Sequence, residues 1–124
     1  MKRLLLLAAT GAVGTLARYW LSGIVQRVAG AGFPWGTLAV NGLGCFLFGL
    51  VWALAEERFL ISGQTRLILL VGFMGAFTTF STYIFETHQM LAATEWLLGT
   101  ANFVLENIAG LALVLPGMLA GRAI

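Results

Sequence analysis

Four long apolar runs, separated by short polar segments, dominate the sequence. Each run is close to the about 20 residues that an α-helix needs to cross a roughly 30 Å hydrocarbon core. The runs predict four membrane spans, at residues 4–25, 36–55, 67–91 and 97–120. Segments 26–35 and 56–66 contain helix-breaking residues or clustered charges, which indicates water-exposed turns. The pattern predicts an all-α membrane protein that forms one four-helix domain over residues 1–124.

Composition supports the membrane interpretation. Of the 124 residues, 60% are hydrophobic and only 10% are charged, which lies outside the usual range of soluble domains. The seven basic residues are scattered, so the net charge of +2 does not indicate nucleic-acid binding. A single cysteine, Cys45, excludes an intrachain disulfide.

Basic residues near the span ends predict how the chain is inserted. Five of them would share one side of the membrane: Lys2, Arg3, Arg58, Arg66 and Arg122. The opposite side holds only Arg27, so the positive-inside rule places both termini in the cytoplasm of a cell with an inner (plasma) membrane. The start resembles a signal peptide, but the apolar run continues to Val25, and we expect a retained first span.

Polar residues interrupt the apolar runs at three places. Because polar groups in hydrocarbon are costly without partners, each is a candidate functional residue. The first is Arg18, a permanent charge that must face water, a carboxylate or an anion. The second is the pair Thr37 and Asn41, one helical turn apart on one face. An asparagine in a membrane helix is also a common interhelical hydrogen-bond partner, so this role stays open.

The third interruption lies in the middle of the third span. Two glycines are followed by four hydroxyl residues within 78–82, and we predict a helix break near 75–79. Beyond it, a 3.6-residue period predicts one shared face for Thr78, Ser81, Thr82, Phe85, Glu86 and Gln89. Phe80 and Tyr83 project from another face. The alternative is that the hydroxyls bond to their own helix and the rings fill the core.

These residue types favour transport of a small anion over catalysis. The only histidine is His88, there is no aspartate, and no nucleophile stands beside a base. Neutral amide and hydroxyl donors suit an anion whose hydration shell must be replaced. The positive ring edges of Phe80 and Tyr83 suit the same ligand. Carbonyl oxygens released at a helix break can hold a Na⁺, which offsets the electrostatic cost of a nearby anion.

Three motifs resemble those of the Fluc (CrcB) family of fluoride channels. They are Gly-x-x-Gly-x₃-Arg at 11–18, Pro-x-Gly-Thr-x-x-Val-Asn at 34–41 and Gly-x-x-Gly-x-x-Thr-Thr-Phe-Ser-Thr at 72–82. The resemblance covers the whole chain in span number, length and motif order. It implies a channel that exports F⁻ passively and so reduces fluoride toxicity. It also implies an antiparallel, dual-topology dimer with two pores and one central, structural Na⁺.

The resemblance further implies roles for individual residues. Backbone carbonyls of Gly75 and Thr78 would hold the Na⁺ at the dimer interface. Phe80 and Tyr83 would line the pore, and Asn41 would contact the anion. The rest of the implied anion pathway consists of the polar-track residues Ser81 and Thr82, with Thr37, Arg18 near a vestibule and Glu86 at the far end.

Several positions depart from the family pattern. Tyr83 stands where a second phenylalanine is common, Ala76 replaces a glycine, and Leu111 stands where a hydroxyl is expected in span four. Glu106 and Asn107 have no role from the resemblance, and we expect them to pair across the dimer. The five-to-one basic asymmetry leaves two partners open, a second copy of this chain or an oppositely oriented paralogue.

Two other functions fit the length and hydropathy. A small four-span, proton-coupled multidrug exporter normally carries a carboxylate in its first span, and residues 4–25 contain none. Glu86 would then have to take that role. A non-transporting membrane assembly subunit is the other alternative, in which glycines and hydroxyls serve only helix packing.

Overall fold

The computed structural model covers residues 1–124 and consists of helices joined by short connections, with four segments long and apolar enough to cross a membrane. We label the helices α1 (Lys2–Ala29), α2 (Trp35–Glu57), α3 (63–77), α4 (Phe80–Ala92) and α5 (Trp96–Ala123). Helices α3 and α4 together make the third segment, Gly63–Ala92. The prediction of an all-α protein with four apolar helices is confirmed.

Two segments widen locally to π-helix. The last turn of α2, Ala53–Glu57, and the middle of α3, Ile68–Met74, have this wider winding. Such insertions shift the direction of the side chains that follow them. In α3 the π-helical segment leads directly into the short α-helical stretch Gly75–Phe77.

The turn between α1 and α2 is held by one side chain. Gln26 Nε2 donates to the carbonyl oxygens of Gly30 at 2.6 Å and Phe33 at 2.9 Å. Its Oε1 accepts from the backbone N–H of Gly36 at 3.0 Å, at the start of α2. Gly30 has a φ of 94°, which favours glycine. The turn thereby fixes where α2 begins and which face it presents to α1.

Glycines allow the backbones of α2 and α5 to approach closely. A Cβ on Gly117 would overlap the carbonyl oxygen of Phe46, and one on Gly49 would overlap that of Val114. Close backbone approach is the usual means by which membrane helices associate. This contact sets the distance between α2 and α5 and so the position of every polar side chain between them.

We expect Gly117→Ala to destabilise the fold by about 1–3 kcal/mol, since the added methyl overpacks a backbone contact. The matched control is Gly63→Ala, because a Cβ at Gly63 meets no atom within 4 Å. The measurement is the temperature at which the purified protein in detergent loses its monodisperse elution. A Gly117→Ala protein as stable as Gly63→Ala would contradict the close approach.

Candidate functional site

The third segment carries two extended residues in its middle. Helix α3 ends at Phe77, and α4 begins at Phe80. Between them Thr78 has φ −82° and ψ 157°, and Thr79 has φ −147° and ψ 106°. Thr79 caps α4, since its Oγ1 accepts from the N–H of Thr82 at 3.3 Å. The two extended residues leave backbone groups that no regular helix satisfies.

Asn41 of α2 satisfies the backbone of Thr79 on both sides. Its Oδ1 accepts from the Thr79 N–H at 2.8 Å, and its Nδ2 donates to the Thr79 carbonyl at 3.2 Å. Non-helical backbone at membrane depth requires such partners. The asparagine therefore has the interhelical role that the sequence left open, and it lies directly at the extended pair.

A carboxyl group of α5 completes this cluster. Asn41 Nδ2 donates to Glu106 Oε2 at 3.0 Å. Glu106 is only 8% exposed, and its other oxygen, Oε1, is buried without a hydrogen-bond partner. We call Asn41, Thr79 and Glu106 the Asn41 cluster. Its members come from α2, the extended pair and α5, so it joins three of the four segments.

Within the chain Glu106 and Asn107 have separate partners, and their pairing across a dimer stays a prediction. Glu106 bonds Asn41, whereas Asn107 Nδ2 donates to the Tyr83 hydroxyl at 2.9 Å. A signal for this was present in the sequence. Asn102 and Glu106 recur at helical spacing with small residues on the buried face of α5, a face that includes Gly99, Gly117 and Gly121.

The aromatic pair lies at the start of α4. The rings of Phe80 and Tyr83 are 5.5 Å apart between centroids and are inclined by 73°, an edge-to-face arrangement. Phe80 is 75% exposed, whereas Tyr83 is 4% exposed. One ring is thus packed inside the chain and holds the second at its surface.

A cavity of about 370 Å³ lies beside the Asn41 cluster and the aromatic pair, and we call it the aromatic cavity. Its lining includes Asn41, Thr78, Thr79, Phe80, Tyr83, Glu106 and Asn107. One water occupies about 30 Å³ of liquid. The cavity therefore has room for a small ion together with several waters.

The Tyr83 hydroxyl and Asn107 form a bond that a phenylalanine at position 83 would lack. We expect Tyr83→Phe and Asn107→Ala each to lower the free energy of unfolding by about 1 kcal/mol. The double variant is expected to lose little more than Asn107→Ala alone, because Asn107→Ala already removes the bond to Tyr83 along with the bond of Asn107 to the Phe103 carbonyl. The measurement is denaturant unfolding in detergent, and fully additive losses would contradict the bond.

Two further cavities lie along the remaining predicted residues. Thr37 Oγ1 donates to Glu86 Oε1 at 2.8 Å, and both line the Glu86 cavity of about 600 Å³ between α1, α2 and α4. Arg18 lies with Thr37, Thr79 and Thr82 around the Arg18 cavity of about 240 Å³. Thr37 lines both of these cavities, and Thr79 lines both the Arg18 and the aromatic cavities. Neighbouring cavities thus share wall residues.

Some predicted residues lie apart from this set. Ser81 is exposed and lines none of the three cavities. Thr78 does not share a helical face with Ser81 and Thr82, because α4 begins only at Phe80; that part of the predicted stripe is wrong. Leu111 is exposed on α5 and contributes no polar group.

Backbone carbonyls at the extended pair are the available oxygen ligands for a cation. No group of three His, Cys, Asp or Glu side chains is placed to hold a metal ion. The N–H groups of Thr78 and Thr79 donate to Met74 and to Asn41 Oδ1, so neither donates to the Gly75 carbonyl. The carbonyl oxygen of Thr78 has no hydrogen-bond partner, and Gly75 lies at the chain's surface.

Comparison with known proteins gives consistent matches over the whole chain. The family model described as "CrcB-like protein, Camphor Resistance (CrcB)" matches residues 5–118. The fluoride-specific ion channel FluC of Nitrosococcus oceani is 56% identical over 123 residues, which cover 99% of this chain and 98% of that protein. The FluC protein of Solidesulfovibrio magneticus is 52% identical over 124 residues, covering 100% and 99%. That of Geobacter sulfurreducens is 46% identical over 121 residues, covering 98% and 94%.

Proposed function

This chain belongs to the CrcB-like family, and on that premise we propose that it is a fluoride-selective ion channel through which F⁻ leaves the cytoplasm passively. Its four apolar helices make it a multi-pass membrane protein, and the inner membrane is where export would reduce fluoride toxicity. The family and its relatives favour a fluoride channel over the multidrug exporter and the assembly subunit.

The observation that carries the proposal is the Asn41 cluster beside the aromatic pair. Fluoride must exchange its hydration shell for donors on the protein, and this cavity is lined by amides, hydroxyls and ring edges together with the Glu106 carboxyl, without a cation. Ring edges carry positive quadrupole charge and accept contact with an anion. Such a site binds an anion weakly enough for it to leave again.

Passive export follows from acid–base chemistry without an energy source. HF crosses lipid as a neutral acid and ionises in the less acidic cytosol, where F⁻ is trapped. The Glu86, Arg18 and aromatic cavities, which neighbour one another through Thr37 and Thr79, would lie along the path of F⁻. Arg18 makes no salt bridge and would attract the anion into this path.

We propose that the functional unit is an antiparallel, dual-topology dimer. Phe80 and Gly75 are exposed on a single chain, near the middle of the third apolar segment and beside the extended pair. A second copy would cover both and would close the open side of the aromatic cavity. In each copy the third helix would be interrupted at Thr78 and Thr79, in the middle of the membrane.

Backbone carbonyls at this break fit a structural Na⁺. The Thr78 carbonyl is free of hydrogen bonds, and the two N–H groups nearest the Gly75 carbonyl are engaged elsewhere. Hard oxygen ligands of this kind suit a monovalent or divalent hard cation. When bound, a Na⁺ would offset the charge of anions in the nearby pores. The two residues would hold it together with the same carbonyls of the second copy.

Growth of a fluoride-sensitive bacterial strain tests the proposed function in cells. The strain should lack its own fluoride exporter and express either this chain or an empty vector. We expect the chain to restore growth at fluoride concentrations that stop the vector control. Equal fluoride sensitivity of the two, with the protein present in the membrane fraction, would count against export.

A further inference from the structure

The hydrogen bonds of Asn41 leave it no free donor for an anion. An amide nitrogen carries two hydrogens, and here it donates to the Thr79 carbonyl and to Glu106 Oε2. The Thr79 N–H is also engaged, because it donates to Asn41 Oδ1. An anion in the aromatic cavity must therefore find another donor on the wall next to Asn41.

Glu106 is the group on that wall with unused hydrogen-bonding capacity. It lines the cavity, is more than nine-tenths buried, and its Oε1 has no partner. Asn41 of α2 bonds it, the Cys45 thiol of α2 and the Tyr83 hydroxyl of α4 line the same cavity, and the Glu86 carboxyl of α4 is near enough to act on its charge. None of these is a cation, and Arg18 lines a different cavity.

A buried carboxylate in these surroundings would lack both a counter-charge and donors for one of its oxygens. Isolated buried charges are so unfavourable that the group takes its neutral form instead. An ionised Glu106 would also repel the transported anion. A neutral carboxylic acid has one O–H and its carbonyl oxygen is the better acceptor, so with Oε2 accepting from Asn41 the hydrogen would reside on Oε1.

We propose that Glu106 is a neutral carboxylic acid in the working channel, with Oε2 positioning Asn41 and the Oε1 hydroxyl donating to the anion in the aromatic cavity. This assignment rests on the proposed function and deepens it, because it names a specificity-determining donor. It also explains how a glutamate is tolerated in an anion pathway: the carboxyl contributes a donor and no charge.

Infrared spectroscopy tests the protonation state without any transport assay. The spectrum of the purified protein at neutral pH, minus that of Glu106→Gln, should show the C=O stretching band of a protonated carboxylic acid. The control is Glu56→Gln, because Glu56 is exposed and pairs with Arg66, and its difference spectrum should show carboxylate bands. Carboxylate bands in the Glu106 difference spectrum would overturn the proposal.

Fluoride efflux from liposomes tests the donor role. Glu106→Gln keeps a neutral N–H donor of nearly the same shape, and we expect F⁻ flux within about threefold of the unsubstituted chain. Glu106→Ala removes the donor and should lower flux about tenfold or more. Equal flux for Glu106→Ala and the unsubstituted chain, or an equal loss in both variants, would overturn the proposal.

Failure of the proposed function and failure of the proposed role of Glu106 give different results. If the unsubstituted chain releases no F⁻, the proposed function fails, whereas the infrared band still reports whether Glu106 is neutral. If the unsubstituted chain conducts and the band or the variant series disagrees, only the role of Glu106 fails. Elution volumes of both variants, measured before reconstitution, establish that they assemble as the unsubstituted chain does.

Discussion

Replacing Asn41 by aspartate is expected to lower fluoride flux by roughly a thousandfold. A carboxylate about 4 Å from the anion adds about 4 kcal/mol of repulsion at an effective dielectric constant near 20. Each 1.36 kcal/mol, approximately, is a tenfold change in rate. The aspartate also lacks the N–H groups that bond the Thr79 carbonyl and Glu106. The measurement is F⁻ efflux from liposomes at equal protein density.

Two variants separate the effect of charge from other causes. Asn41→Ala removes the amide without adding a charge, and we expect its flux to lie between those of the aspartate variant and the unsubstituted chain. Gln64→Glu adds the same charge at an exposed position in the first turn of α3 and should conduct normally. If Asn41→Asp conducted like Gln64→Glu, the Asn41 cluster would not lie on the anion path.

Phe80→Ile is expected to lower fluoride flux by about tenfold. The ring of Phe80 is exposed at the mouth of the aromatic cavity and is held edge-to-face by Tyr83. Isoleucine is similarly apolar but has no positive ring edge, so it removes a contact worth about 1 kcal/mol or more to an anion. The measurement is again F⁻ efflux, with elution volume as the test of assembly.

The matched control is Phe85→Ile on the same helix. Phe85 is exposed like Phe80, but it lines none of the three cavities. We expect near-normal fluoride flux for Phe85→Ile and a large loss for Phe80→Ile. Similar flux in both variants would mean that the aromatic pair supports packing, as the alternative interpretation of the sequence has it.

Much of the fold could be predicted from the sequence because hydropathy is a local property. The four spans follow from apolar runs, although α1 extends from Lys2 to Ala29 rather than from 4 to 25. Polar residues at helix ends are still helical when they reach into the headgroup region, and hydropathy does not register them. The glycines and hydroxyl residues of the third span predicted a helix break near 75–79, and the extended residues Thr78 and Thr79 lie at the end of that range.

The partners within the site could not be predicted in the same way. Asn41 bonds residues 38 and 65 positions away, and these contacts depend on how α2 and α5 are rotated against each other. That rotation is set by glycine contacts such as Gly117 against Phe46, which a hydropathy pattern does not encode. For the same reason Glu106 and Asn107, adjacent in sequence, bond different elements.

The most direct test of the channel assignment is anion efflux from liposomes that hold only this purified chain. Efflux begins when valinomycin is added under a K⁺ gradient, and fluoride and chloride electrodes record the two anions separately. We expect rapid F⁻ release with no Cl⁻ release, which would also show that a dimer of identical chains is sufficient for transport. Release of neither anion, or release of both at similar rates, would contradict a fluoride-selective channel formed by this chain alone.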